Sequence, residues 1–251
     1  MKAIRLEHSD SVKSEFPHLE HMYSGYLSRY YYKRFDMALE YSEVSSTDSV
    51  LDLGGGTGVF TLSLMEYAGN IHLIDIQQET EPFQTAQKLI VNELDTVDDH
   101  EFILGSGTDL PVSDSSYDIV YALDVLEHIK EKREAMDEVE RVLKSDGRFI
   151  VTVPIEIGPA LLVRESYRYL DGKRQNSESV TELARGITGR PEIKNETHHR
   201  GFDYRDIVEM ATERYPHVYV QYCPSPLLRW LNPTAVVICS KEPIDYASKS
   251  E

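Results

Sequence analysis

The stretch from Val50 to Phe60 reads VLDLGGGTGVF and decides the fold. A short apolar run ends at a group of glycines, and a helical pattern begins at Val59. Glycine permits the tight turn and lets a ligand lie against bare backbone, and the free N–H groups at the start of a helix favour an anion or a polar group. The sequence therefore predicts a ligand site between a strand and a helix.

A carboxylate follows at the end of the next apolar run. Residues 70–76 read NIHLIDI and predict a second strand, which places Asp75 twenty-one residues after Gly54. A carboxylate at this point suits the two hydroxyls of a ribose, so the pattern indicates a nucleoside-bearing cofactor at the carboxyl ends of the first two strands. Glycines at 54, 56 and 58 do not have the GxGxxG spacing of dinucleotide-binding enzymes, which argues against an NAD-linked oxidoreductase.

The rest of the chain alternates between strand and helix patterns. Further strands are predicted over 49–53, 101–104, 117–123, 148–153, 218–222 and 234–239. Helices are predicted over 59–67, 81–94, 130–143, 160–169, 177–185 and 204–215, the last with Asp203 as its N-cap. Strands separated by helices give βαβ units and a mainly parallel sheet.

Four segments resemble, in order and spacing, those of the class I S-adenosylmethionine-dependent methyltransferases, and most closely their small-molecule, type 11-like members. The segments are DLGGGTG (52–58), GSGTDLPVSDSSYD (105–118), LDVLEHI (123–129) and VLKSDGRFIVTVP (142–154). The resemblance covers residues 48–154. It implies a Rossmann-like, doubly wound α/β fold whose seven-stranded sheet is mostly parallel with one antiparallel strand. It also implies transfer of the sulfonium methyl group to an O, N or C nucleophile of a small-molecule substrate.

The resemblance implies a set of S-adenosylmethionine-binding residues: Asp52, Gly54, Gly56, Gly58, Asp75, Ile76, Ser106, Gly107 and Asp124. The glycines would line the cofactor, Asp75 would accept hydrogen bonds from the ribose, and Ile76 would flank the adenine. Asp52 would help to hold the methionine amino group, directly or through water, and Asp124 would lie by the methionine part. Asp124 has an alternative interpretation as the N-cap of a helix containing Leu126 and Ile129.

The chain departs from the family beside the adenine. Ser106 and Gly107 are expected to approach the adenine edge, but the family usually has an Asp directly after the glycine where this chain has Ser106. A serine accepts a hydrogen bond without carrying charge. Asp109 is the alternative, provided that the loop bends.

Three histidines are candidate general bases, because a histidine titrates near neutral pH. His128 follows Glu127 in the predicted helix after the fourth strand, where packing or capping is the alternative role. His198 and His199 lie in a loop before the helix at 204–215 and are otherwise solvated loop residues. No cluster of metal ligands is evident, so no metal is expected.

The expected domain organisation has five parts: a helical cap (1–45), the cofactor-binding core (46–154), a lid or substrate insertion (155–202), the C-terminal completion of the sheet (203–241) and a tail (242–251). The insertion is expected to act as a mobile cover on the substrate side. The tyrosines of the cap are expected either to pack it onto the core or to attract the sulfonium cation: Tyr23, Tyr26, Tyr30, Tyr31 and Tyr32.

Composition limits the partners. The 251 residues carry a formal net charge of −17, which makes nucleic acid an unexpected partner, because phosphate binding needs clustered cations. No apolar run is long enough to span a bilayer, and residues 1–16 do not resemble a secretory signal, so a cytoplasmic location is expected. The sequence leaves the oligomeric state open. The alternatives to an enzyme of this family are a non-catalytic S-adenosylmethionine-binding regulatory protein and an NAD-linked oxidoreductase.

Overall fold

A seven-stranded sheet forms the centre of the computed structural model. The structure describes residues 1–5, 25–76, 100–159, 187–188, 202–225 and 231–244, without the side chains of 25–27. The strands are β1 (Ser49–Leu53), β2 (Asn70–Asp75), β3 (His100–Leu104), β4 (Tyr117–Leu123), β5 (Leu143–Pro154), β6 (His217–Cys223) and β7 (Thr234–Ser240). Their order across the sheet is β3-β2-β1-β4-β5-β7-β6.

The pairing confirms the predicted fold class. Strands β1 to β5 pair in parallel, and β7 runs antiparallel to both of its neighbours, β5 and β6. The strand order reverses between β1 and β4, which lie side by side although two strands separate them along the chain. In open α/β sheets a ligand binds outside the carboxyl ends of the strands at such a switch point.

Helices cover both faces of the sheet. The described helices are α1 (Gly25–Ser42), α2 (Val59–Leu64), α3 (Lys132–Val142) and α4 (Tyr204–Arg214). Helices α3 and α4 share one apolar core with the sheet, and α1 and α2 share the other. The predicted cap of α4 is confirmed, because the Asp203 carboxylate accepts a hydrogen bond from the backbone N–H of Arg205.

Helix α1 packs against the sheet and against α2. The Phe60 ring lies between Phe35 and Tyr121, with ring centroids 5.1 Å and 5.0 Å apart. The N-terminal residues also bind α1, because the backbone N–H of Ala3 donates a hydrogen bond to the buried Asp36 carboxylate over 2.8 Å. The N–H of Ile4 donates to the Ser63 hydroxyl of α2 over 3.0 Å. Helix α1 is thereby held beside the helix that follows the glycine loop.

Two boundaries differ from the sequence prediction. The helix expected over 130–143 spans Lys132–Val142, and the residues between β4 and that helix form turns. Strand β5 begins at Leu143 rather than at 148, because Leu143 is buried and pairs with Tyr117 of β4. Gly147 continues the strand, at a point where an added Cβ would lie 2.8 Å from Leu143 Cδ2.

Several predicted segments fall outside the described residues: the helix at 81–94, the helices at 160–169 and 177–185, and almost all of the insertion at 155–202. Within the described part of the chain, no helix combines the length and the apolar character needed to cross a membrane.

Candidate functional site

The glycine loop after β1 presents bare backbone at the switch point. Gly54, Gly56 and Gly58 have φ angles of 67°, 58° and 77°, a region that side chains disfavour. The Gly54 N–H donates to the Ile74 carbonyl over 2.7 Å, which ties the loop to β2. A Cβ at Gly54 would lie 2.5 Å from Val125 Cγ2, so the absence of a side chain also lets the turn after β4 approach the loop.

Asp75 ends β2 and fixes the glycine loop from the other side. Its Oδ2 accepts a hydrogen bond from the Gly56 N–H over 2.6 Å. Burial raises the pKa of Asp75, and hydrogen bonds from the backbone of Gly56 and Ile76 oppose that rise. An ionised carboxylate has about four acceptor positions, so positions are left for a ligand hydroxyl.

Two apolar side chains stand exposed at the same edge. Ile76 is 61% exposed directly after Asp75, and Leu104 is 57% exposed at the end of β3. Asp75 and Leu104 are register partners in the parallel pair of β2 and β3, and Ile76 directly follows Asp75, so both apolar residues neighbour Asp75 at this edge of the sheet. A planar aromatic base would cover such a surface, which agrees with the predicted position of Ile76.

Asp52 lies beneath the glycine loop rather than on its surface. Its side chain is buried, and Oδ2 accepts a hydrogen bond from the Thr61 hydroxyl of α2 over 2.5 Å. Burial raises the pKa of Asp52 to about 7, while the Thr61 hydrogen bond lowers it and the neighbouring Asp75 raises it further. Contact with a methionine amino group stays a prediction for this residue, and in this arrangement its partner is Thr61.

The raised pKa of Asp52 predicts a pH-dependent stability. Its folded pKa of about 7 exceeds the ordinary value of 3.8, so the unfolded chain releases this proton at lower pH and the stability contribution is lost as pH rises from about 4 through 7. Asp52→Asn keeps an oxygen that accepts from Thr61 and removes the titration. We expect its free energy of unfolding, measured by urea denaturation, to fall less between pH 5 and pH 8 than that of the wild type.

A matched control separates this effect from general charge. Asp146 is exposed near the amino end of β5, so Asp146→Asn should keep the wild-type pH dependence. An unchanged pH slope in Asp52→Asn would contradict the buried, protonated state of Asp52.

The loop after β3 forms a compact turn. Ser106 Oγ lies 2.9 Å from the Thr108 hydroxyl and accepts a hydrogen bond from the Thr108 N–H. The Asp109 N–H donates to the Ser106 carbonyl over 3.1 Å, so the loop does bend and brings Asp109 back beside Ser106. A Cβ at Gly107 would lie 3.0 Å from Ile129 Cδ1, which sets this loop against the turn after β4. Ser106 and Asp109, the two candidates for binding the adenine edge, therefore lie in one exposed turn.

Asp124 begins the turn after β4 and is not a helix N-cap. It has a φ angle of 58°, its N–H donates to the Thr152 carbonyl over 2.9 Å, and its Oδ1 accepts from the Thr152 hydroxyl over 2.8 Å. The N-cap interpretation is wrong, because these bonds to β5 hold Asp124 in the left-handed region and the next helix starts only at Lys132.

Arg34 of α1 is a residue of the candidate site that the sequence pattern did not predict. Its guanidinium forms an ion pair with Asp124 Oδ2, and only 7% of its side chain is exposed. The guanidinium carbon lies 4.7 Å from the centroid of the Tyr31 ring. The sequence did carry one indication of its role: Arg34 is a charged residue one helical turn after Tyr30 and Tyr31, in a helix that was expected to pack onto the core.

Glu127 and His128 follow in the same turn. Burial raises the pKa of Glu127 to about 7, and the cations of Arg34 and Lys132 oppose the rise. The pKa of His128 is lowered by partial burial and by Lys132. His128 is exposed in this turn, and its role as a general base stays a prediction. His198 and His199 lie outside the described residues.

These residues fit the cofactor that the resemblance implies. The loop backbone, the Asp75 carboxylate, the exposed Ile76 and the turn at 105–109 meet at one edge and suit the ribose and adenine of S-adenosylmethionine. The Asp124 turn closes the same edge across from the glycine loop, where the methionine part would lie. Among the described residues, no group of three His, Cys, Asp or Glu side chains is placed to hold a metal ion.

Comparison with known proteins agrees with this geometry. Residues 51–151 match the family described as "Methyltransferase domain". A ubiquinone/menaquinone biosynthesis C-methyltransferase from Pseudomonas fluorescens is 30% identical over 207 residues, which are 77% of this chain and 78% of that protein. A demethylmenaquinone methyltransferase from Clavibacter sepedonicus is 32% identical over 120 residues, 48% of this chain. The match spans only 46% of that second relative, so the chain spans about half the length of some of its curated relatives.

A solved structure shares the fold. The crystal structure of an S-adenosylmethionine-dependent methyltransferase from Aquifex aeolicus superposes with a TM-score of 0.56, covering 92% of this chain and 96% of that one at 13% identity. At that identity the likeness concerns the arrangement of strands and helices.

Proposed function

We propose that this chain, which belongs to the class I S-adenosylmethionine-dependent methyltransferases, transfers the methyl group of that cofactor to a small-molecule acceptor. The observation that carries the proposal is the hydrogen bond from the Gly56 N–H, in the glycine loop that begins at the switch point of the sheet, to Asp75 at the end of β2. This hydrogen bond joins the glycine loop and the carboxylate proposed to bind the ribose into one binding surface. Relatives named for quinone-biosynthesis methylation support a small-molecule acceptor.

The binding roles proposed for the residues follow their positions. Gly54, Gly56 and Gly58 line the cofactor with backbone, Asp75 accepts from the ribose hydroxyls, and Ile76 covers the adenine. Ser106 and Gly107 approach the adenine edge, with Asp109 in the same turn. Asp124 borders the methionine part. Asp52 lies beneath the glycine loop and supports it by accepting a hydrogen bond from Thr61 of α2, the helix that follows the loop.

The chain's own contribution to the reaction is placement. S-adenosylmethionine supplies an electrophilic methyl group on a sulfonium. The glycine loop and the Asp124 turn fix where that group lies, and α1 brings Tyr30 and Arg34 to the acceptor side. Holding two reactants in line contributes about 7–11 kcal/mol in favourable cases. A base is needed only when the acceptor atom is protonated.

We also propose that the parts outside the core select the acceptor. Helix α1 supports a capping role for residues 1–45, because Arg34 pairs with Asp124 and Tyr30 hydrogen-bonds to Thr234 at the same edge. The expected cover at 155–202 lies mostly outside the described residues. It leaves from Pro154, at the carboxyl end of β5, which is the ligand side of the sheet. A cytoplasmic location stays a prediction from the sequence.

Calorimetry with three ligands tests the proposal. We expect S-adenosylmethionine and S-adenosylhomocysteine to bind and NAD to give no signal, because the loop has Gly-x-Gly-x-Gly spacing and ends opposite Asp75. Tight binding of NAD with no signal from S-adenosylmethionine would overturn the cofactor assignment. A metabolite extract incubated with methyl-labelled cofactor then identifies the product, and binding without any labelled product would favour the non-catalytic regulatory protein.

A further inference from the structure

Three ionisable side chains meet at the carboxyl end of β4. Asp124 and Glu127 come from the turn after that strand, and Arg34 comes from α1, ninety residues earlier in the chain than Asp124. Arg34 is close enough to Glu127 to lower the pKa of its carboxyl. The cluster borders the proposed position of the methionine part of the cofactor, which carries the methyl group, so it faces the acceptor side of the site.

Two atoms of this cluster are buried without a hydrogen bond. Arg34 Nε and Glu127 Oε2 both lack a partner within the described part of the chain and are shielded from solvent. Buried polar atoms in native proteins are almost always satisfied, because an unpaired buried donor or acceptor loses its hydration without compensation. One of the two atoms is a donor and the other is an acceptor when Glu127 is ionised.

A single group that satisfies both atoms must accept a hydrogen bond from one and donate a hydrogen bond to the other. A hydroxyl oxygen accepts a hydrogen bond from Arg34 Nε and donates its own hydrogen to Glu127 Oε2. An ammonium group has only donors, so it cannot accept from Arg34. A carboxylate has only acceptors, and Asp124 already neutralises the guanidinium, so a second anion would be repelled by the two carboxyls. The arrangement therefore favours a neutral hydroxyl.

We propose that Arg34 and Glu127 form the acceptor-binding end of the active site and take a hydroxyl group of the acceptor as the nucleophile. This inference rests on the proposed methyltransferase function and names its substrate class. Asp124 acts as a positioning residue, because its bonds to Thr152 and its ion pair hold the guanidinium in place.

The resulting step balances without any further reactant. The O–H bond of the acceptor breaks and its proton passes to Glu127 Oε2. The oxygen electron pair forms the new O–CH3 bond, the S–CH3 bond breaks, and its electron pair stays on sulfur. Arg34 Nε donates a hydrogen bond to the oxygen and orients it, so the two side chains touch the reacting group directly.

The ionisation of Glu127 sets the pH range of this binding. Burial raises the pKa of Glu127 in the folded protein to about 7, while the cations of Arg34 from α1 and Lys132 from α3 lower it. Asp124 and His128 are the other titratable residues of its own turn. Below that pH the protonated carboxyl no longer accepts from a hydroxyl as an anion does. Hydroxyl binding should therefore strengthen as pH rises from 6 to 8.

Four small aromatic probes test the inference in protein saturated with S-adenosylhomocysteine: phenol, anisole, benzylammonium and benzoate. Aromatic probes suit the site because Tyr31 and Phe35 rings surround the guanidinium. By ligand-observed NMR titration, we expect phenol to bind about tenfold more tightly than anisole, the equivalent of one hydrogen bond of about 1.4 kcal/mol. The preference should grow between pH 6 and pH 8.

Variants assign the preference to the two side chains. Glu127→Gln and Arg34→Lys should reduce the phenol preference to within about twofold, and the pH dependence should disappear in Glu127→Gln. Glu131→Gln, an exposed glutamate four residues later, should behave as the wild type. An unchanged far-UV circular dichroism spectrum shows that each variant is folded.

The outcomes separate this inference from the proposed function. Equal affinity for phenol and anisole, including no measurable binding of either, means that the two atoms hold at most a water and overturns the inference. A preference for benzylammonium or benzoate overturns it in favour of an amine or an acid. If the wild-type protein does not bind S-adenosylhomocysteine, that result contradicts the proposed methyltransferase function rather than this inference.

Discussion

Gly54→Ala is expected to destabilise the protein by several kcal/mol and to abolish measurable binding of S-adenosylmethionine. Gly54 has a φ angle of 67°, and a side chain in this region costs about 1–2 kcal/mol. The added Cβ would also lie 2.5 Å from Val125 Cγ2 and 2.6 Å from Val125 Cγ1, and overpacking typically costs about 1–3 kcal/mol. Urea denaturation and calorimetry measure the two losses.

Gly158 supplies the matched control. Its φ angle is 76°, and among the described residues no atom lies within 4 Å of where its Cβ would stand, so Gly158→Ala carries the backbone cost without the collision seen at Gly54. We expect it to lower the free energy of unfolding by about 1–2 kcal/mol and to leave cofactor affinity unchanged. Equal destabilisation by the two substitutions would show that the Val125 contact contributes nothing.

A compensating substitution isolates the steric part. Adding Val125→Ala to Gly54→Ala removes both Cγ atoms that the new Cβ would meet, so the double variant should recover part of the stability and part of the cofactor affinity. Failure of the double variant to recover either quantity would mean that backbone conformation alone requires glycine at position 54. The pair thus tests whether the cofactor loop and the turn after β4 are packed as one unit.

The sequence predicted the sheet because each strand is marked locally. Short apolar runs such as 49–53 and 117–123 are bounded by glycines and polar turns, and the structure has both strands with these bounds. The glycines after β1 and Asp75 after β2 are neighbours because parallel strands bring their carboxyl ends to one edge. Local pattern and topology together are enough to place this half of the candidate site.

The acceptor half depends on contacts that no local pattern records. The segment LDVLEHI has apolar residues at helical spacing, yet Asp124 adopts a left-handed conformation because Thr152, twenty-eight residues away, holds it. The partner of Asp124 is Arg34, on a helix whose register against the sheet the sequence does not reveal. Strand β5 begins early for the same kind of reason, since Leu143 pairs with Tyr117.

Asp75→Ala is the second substitution with a large expected effect. Two ribose hydroxyls would lose a charged acceptor, and hydrogen bonds to charged groups contribute about 1.5–3 kcal/mol each. We expect cofactor affinity to fall at least a hundredfold by calorimetry while the chain stays folded. Asp146→Ala, which removes an exposed carboxylate near the amino end of β5, should leave affinity unchanged.

Asp75 also supports the glycine loop, and Asp75→Asn separates the two roles. The Asn side-chain oxygen still accepts from the Gly56 N–H, which in the wild type donates to Asp75 Oδ2 over 2.6 Å. The other oxygen is replaced by an NH2 group, which cannot accept from a ribose hydroxyl. If ribose binding dominates, Asp75→Asn should lose nearly as much affinity as Asp75→Ala. If loop support dominates, Asp75→Asn should bind almost as the wild type does.

An analogue of S-adenosylhomocysteine without the ribose hydroxyls completes the comparison. Because the analogue cannot donate to Asp75, its affinity for the wild type should already be low, and Asp75→Asn should reduce it little further. The loss from the substitution and the loss from the analogue then overlap, which is the signature of one shared interaction. Independent, additive losses would place the ribose elsewhere, as would an affinity of Asp75→Ala within about twofold of the wild type, a difference of less than ~0.5 kcal/mol.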